Sequence, residues 1–171
     1  RRVIKPYDVR GLVGSEIDEA FAADVGAAFA RLVRDEPAGA QQIVVGHDMR
    51  ESSPALTAAF AGGVLSQGLD VVRIGLASTD GLYFASGHLN IPGAMFTASH
   101  NPAQYNGIKL CRAGASPVTG SGRPTGAVEF GADQSATAST ASISMRPIRP
   151  EAPATAIFNA LRGIAAGAVK G

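Results

Sequence analysis

A chain of 171 residues is long enough for one domain, or one domain and part of a second, and for a buried core. Its formal charge of +1 offers no global field for nucleic acid or a membrane surface. The single cysteine, Cys111, excludes an internal disulfide framework and a cysteine-clustered zinc site, and the absence of Trp argues against a base-stacking surface. Residues 81–108 carry no Asp, Glu, Lys or Arg, but Asn90, Pro92, His100, Asn101, Pro102 and Asn106 make that run unfit to span lipid. The start, Arg1-Arg2-Val3-Ile4-Lys5-Pro6, lacks the long apolar region of a signal peptide, so the expectation is a soluble cytoplasmic protein.

In chain order, Ile17, Phe21, Val25, Ala28, Phe29 and Leu32 recur at helical intervals and predict an amphipathic helix over 17–34. Ser15 or Glu16 should start it, and Pro37 and Gly39 should stop it. Gln42–Gly46 is a short β-branched run, read as a buried strand. Ser53-Pro54 predicts a capped helix that runs through Leu56, Phe60 and Val64 to a stop at Gly68. Asp70–Gly75 reads as a second strand, and Thr79 as the cap of a third helix through Leu82 and His88, with His88 capping or packing at its end. Ala94–Thr97 and Gly107–Cys111 read as a third and a fourth strand. Strands separated by helices imply a three-layer α/β/α domain with a largely parallel, mixed sheet.

Beyond position 118 the composition changes. Residues 119–156 hold only Val128, Phe130, Ile143, Met145 and Ile148 as large apolar side chains, too few to offset ordering entropy. This low-complexity stretch reads as a linker, and Ile157, Leu161, Ile164 and Ala168 suggest a helix over 157–170.

In parallel α/β folds ligands sit off the carboxyl ends of the strands, which singles out residues 46–53 and 98–107. Asn101-Pro102 and Asn106-Gly107 are turn signals, the second fit for a tight reversal into Ile108. A purely structural loop would use the same residues, so spacing leaves both readings open. Ser99 is not in a G-x-S-x-G elbow, since Thr97 and Asn101 hold the glycine positions. His47, His88 and His100 lack metal-ligand spacing, and no nucleotide-binding glycine motif is present.

Four segments taken together are more specific. Lys5-Pro6-Tyr7-Asp8-Val9-Arg10-Gly11, Val45-Gly46-His47-Asp48-Met49-Arg50, Thr97-Ala98-Ser99-His100-Asn101-Pro102 and Tyr105-Asn106-Gly107-Ile108-Lys109 resemble, in order and spacing, the α-D-phosphohexomutases. The closest subgroup is phosphomannomutase/phosphoglucomutase, and the resemblance covers residues 3–118, the family's first domain. It implies that Ser99 is a phosphoserine exchanging its phosphoryl group with a hexose 1- or 6-phosphate. It implies that His100 and Lys109 stand beside the transferred group, and that Tyr7, Arg10 and Asn101 bind the phosphosugar. Arg10 and Tyr7 could instead tie the N-terminus to the sheet, and Lys109 could snorkel at an edge. Asp48 and Arg50 are expected to brace the neighbouring loop rather than touch substrate.

Mg²⁺ is implied too, reached here only through the phosphate on Ser99. Its Asp-rich D-G-D-x-D-R loop belongs to the family's second domain and has no counterpart in this sequence. The tail from Thr119 does not follow that domain and fits a truncation or a shifted reading frame. The chain is therefore expected to be inactive by itself. A non-catalytic phosphosugar-binding or protein-interaction domain is the alternative.

Overall fold

Ile43, Val44 and Val45 have no accessible surface, because the strand that carries them is covered on both faces. A computed structural model of the protein describes residues 8–118. Tyr7, the linker assigned to 119–156 and the helix assigned to 157–170 lie outside the described residues. Within them the order is β1 (Asp8–Leu12), α1 (Glu19–Asp35), β2 (Gln42–His47), α2 (Ser53–Leu65), β3 (Asp70–Leu76), α3 (Thr79–Leu89), β4 (Gly93–Phe96) and β5 (Tyr105–Arg112). A short 3-10 turn, Ala113–Ala115, and β6 (Ser116–Pro117) follow.

The strands form one mixed sheet in the order β1-β5-β4-β2-β3, with β6 paired to β5. β2 runs parallel to both β3 and β4, as helical crossovers require. β5 runs antiparallel to β4 and β1, because the connection from β4 contains no helix. No strand is expected before α1 from the sequence, yet Asp8–Leu12 forms β1; a five-residue run holding Arg10 and Gly11 gives little alternation to read.

On one face α1 and α2 bury Phe29, Phe60, Phe96, Val45 and Ile108 in the main core. On the other, α3 packs Leu82 against Val44 and Met95. The two helices of the first face approach closely because Gly26 and Gly63 lie at their crossing. A methyl group on Gly26 would overlap the Phe60 carbonyl oxygen, and one on Gly63 that of Ala23.

Helix boundaries follow the hydrogen bonds rather than the first candidate cap. α1 starts two residues later than expected, because Asp18 Oδ1 accepts from the Phe21 amide at 2.7 Å. Glu16 is diverted to the Leu12 amide at 2.8 Å, and Ile17 is buried outside the helix. Ser53 lies inside α2, its hydroxyl donating to Asp48, so Ser52 takes the cap position. Ser78 rather than Thr79 caps α3, accepting from the Gly81 amide at 3.0 Å. His88 stacks on Phe84 in the last turn of α3. Asn106-Gly107 is not a reversal. It lies within β5, where Asn106 is fully buried and donates to the hydroxyls of Ser52 and Ser53. The chain turns earlier, through Asn101 N–H to Ala98 and Tyr105 N–H to Pro102.

Candidate active site

Because β2 and β4 are parallel neighbours, the segments that follow them leave the sheet side by side at its carboxyl edge. The first, His47 to Ser53, is tied to the second by the Asp48 amide, which donates to the Phe96 carbonyl at 2.9 Å. Asp48 then becomes a hub. Its Oδ1 accepts from the Ser53 hydroxyl at 2.7 Å and the Arg50 amide at 3.0 Å, while Oδ2 meets Arg50 Nε at 3.2 Å. The Thr97 hydroxyl also favours the charged form of this carboxylate. Partial burial by itself pushes the Asp48 carboxyl up. The bonds from Ser53 and Arg50 N–H, with the Thr97 hydroxyl and the Arg50 charge, more than offset that and hold it below its ordinary 3.8.

A carboxyl depressed by folding adds stability that is complete above its ordinary range and is lost as pH falls through the depressed value. The melting-temperature gap between wild type and Asp48→Asn should therefore be widest above about pH 4 and close under more acid conditions. A gap unchanged at pH 3 would mean that the carboxylate contributes nothing through its charge.

The second segment carries Ser99. Its backbone lies in the left-handed region, φ +53°, which disfavours a residue with a β-carbon. Its amide donates to Thr97 Oγ1 at 3.1 Å, and both Ser99 and the adjacent His100 are exposed. Ser99 and Asn101 line an open cleft of about 930 Å³ together with Thr97, Asp48, Arg50 and Glu51.

Arg10 and Lys109 are placed by the sheet instead and are not among the residues lining this cleft. Arg10 pairs with Gly107, and Lys109 with Asp8 on one side and Met95 on the other. Two register steps put the cations diagonally on one sheet face, where Cα separations run roughly 7–8 Å. Met95 contacts Leu82, so this is the α3 side.

Arg50 spends its guanidinium on the loop, as the sequence reading expects. The contribution of Thr97 is not anticipated there: its Oγ1 accepts from Ser99 N–H, and a lone threonine at a strand end carries no spacing signal. Among the described residues no three His, Cys, Asp or Glu side chains group as metal ligands, and no helix is long and apolar enough to cross a membrane.

A family model described as phosphoglucomutase/phosphomannomutase, alpha/beta/alpha domain I, matches residues 1–125. A phosphomannomutase of Vibrio cholerae is 41% identical over 117 residues, covering 68% of this chain and 25% of the relative. A phosphomannomutase of Klebsiella pneumoniae is 43% identical over the same length, 68% of this chain and 71% of the relative. The crystal structure of a phosphoglucomutase/phosphomannomutase family protein from Burkholderia thailandensis superposes with a TM-score of 0.62 at 35% identity, over 66% of this chain and 26% of that one. The chain thus spans about a quarter of the Vibrio relative's length. With the mixed sheet, its α/β/α layering and the matched residues in agreement, the chain belongs to the phosphoglucomutase/phosphomannomutase family and carries its domain I.

Proposed function

We propose that residues 8–118 form the phosphoryl-carrying wall of a phosphohexomutase, with Ser99 as the carrier and a phosphosugar as substrate. The observation that supports this most is the exposed Ser99, held in a left-handed turn at the cleft. In the first transfer a hydroxyl oxygen of the hexose phosphate attacks the phosphorus on Ser99 Oγ. The P–Oγ bond breaks, the hydroxyl proton ends on Oγ, and a hexose bisphosphate forms. After the sugar reorients, Ser99 Oγ attacks the other phosphate and returns its own proton to the departing sugar oxygen.

The transferring group carries charge on its equatorial oxygens, which fixed cations stabilise. Lys109 and Arg10 are assigned that role, with Lys109 also the candidate for proton transfer, His100 beside the transferred group and Asn101 as a donor to substrate. Tyr7 is carried with them on sequence resemblance alone.

The magnesium ion that the resemblance implies is not accommodated by the described residues. The cleft offers two carboxylates, Glu51 and an Asp48 already committed to Ser53 and Arg50. No step above runs through the ion. An open, one-sided cleft leaves the reacting groups wet, so sustained turnover is not expected from these residues by themselves.

The test is incubation with a hexose 1,6-bisphosphate and Mg²⁺, followed by mass spectrometry. One phosphate should appear on Ser99 and none in Ser99→Ala. Absence of any label on the folded wild-type chain would overturn the reading in favour of a phosphosugar-binding or interaction domain.

A further inference from the structure

A guanidinium group has five N–H donors in a rigid planar fork. In Arg50 all five are spent. Nη1 donates to the carbonyls of Pro102 and Tyr105 at 2.9 and 3.0 Å, and Nη2 to those of Ser99 and Asn101 at 2.9 and 2.8 Å. Nε meets the Asp48 carboxylate. Four carbonyls within seven consecutive residues thus converge on one side chain from the loop after β2, with α2, β3, α3 and β4 between them in the chain. The amide side of Ser99 is held as well, its N–H donating to Thr97 Oγ1 at 3.1 Å.

A side chain saturated by backbone carbonyls has no donor left for a phosphate. What it can do is set the backbone. Ser99 occupies a conformation that a residue with a β-carbon avoids unless its surroundings impose it, and the side chains that hold its carbonyl and its amide here are Arg50 and Thr97.

We propose that Arg50 is a positioning residue, holding Ser99 left-handed at the cleft and thereby setting the rate of phosphoryl transfer without touching the sugar. The proposal rests on Ser99 as phosphoryl carrier. Arg50→Lys keeps the charge and most of the stem but offers a single compact ammonium, too small to span four carbonyls. Misplacing a reacting atom by about 1 Å costs ~10²-fold in rate.

The experiment compares the whole chain, Arg50→Lys and Arg50→Met, each checked for folding by circular dichroism and melting. Two quantities are read: the intraresidue amide–Hα contact of Ser99 by NMR, strong at positive φ, and the rate of Ser99 labelling by a hexose 1,6-bisphosphate. Both should fall in either variant, the rate by ~10²-fold, while bisphosphate affinity by NMR titration stays within a few-fold. Millimolar guanidinium ion should recover part of the rate in Arg50→Met. A folded Arg50→Lys that keeps the positive-φ signature and labels at the wild-type rate overturns the proposal, and it decides the matter should Arg50→Met fail to fold. A wild-type chain that takes no label defeats the Ser99 reading and the transfer half of this proposal together. The backbone half is then decided by the spectrum: loss of the signature upholds it and retention removes it.

Discussion

Truncating Phe60 to alanine is expected to destabilise the domain by about 3–5 kcal/mol, the range for removing a fully buried aromatic ring. The ring has no accessible surface and sits where three elements meet. Its centroid is 5.5 Å from that of Phe96 in an edge-on contact and 6.4 Å from that of Phe29. The site cannot collapse easily, because the backbone of α2 at Phe60 already rests against Gly26 of α1. Urea denaturation should show a lower midpoint with an unchanged slope. Phe84 supplies the control: it is 64% exposed and stacks on His88, and its truncation should cost within about 0.5 kcal/mol. A Phe60→Ala loss below about 1 kcal/mol would show that the three rings do not act as one core.

The second large effect concerns a single methyl group beside the site. A β-carbon on Gly107 would lie 2.5 Å from the Val9 carbonyl oxygen and 2.9 Å from that of Thr97. Both obstacles are backbone, one in β1 and one at the end of β4, so no rotamer change relieves them. Overpacking of this kind costs about 1–3 kcal/mol and sometimes more. Relief requires β1 to move away, which carries Arg10 with it, or the Thr97 peptide to tilt. The tilt would break the bond from Thr97 N–H to the Gly107 carbonyl, now 3.0 Å, at the root of the Ser99 loop. Gly107→Ala should therefore lose both stability in urea and phosphate labelling of Ser99. Wild-type values for both would mean that the sheet has slack at this crossing.

Elements built from local regularities were legible in the sequence. β2 and β3 announce themselves by β-branched runs, and α1 by its helical spacing, because those patterns record burial directly. Asn106-Gly107 was misread for the opposite reason. Its local turn signal is overridden by a buried amide bonded to the cap and first-turn serines at the start of α2 and by the narrow gap only glycine fits. At the cleft, the position of Ser99 and Asn101 after a parallel strand could be read in advance. The fivefold saturation of Arg50 could not, since four of its acceptors are main-chain oxygens that any residue supplies.

The place of β1 in the sheet bears on how the chain is made. Among the described residues β1 has no strand neighbour except β5, and Asp8 pairs with Lys109, about a hundred residues further on. During synthesis β1 leaves the ribosome before the other described strands and waits for β5 to find a partner. The parallel unit β2-α2-β3-α3-β4 can collapse meanwhile around its own short crossovers. Closing so long a loop costs entropy that only the completed pairing repays, and such non-local steps are slow. β5 arrives with Gly107 and Lys109, and its docking is also what brings Arg10 to the sheet. Both cations assigned to the phosphoryl group therefore reach their places in one late event, and a nascent chain halted before Tyr105 would hold Ser99 without either.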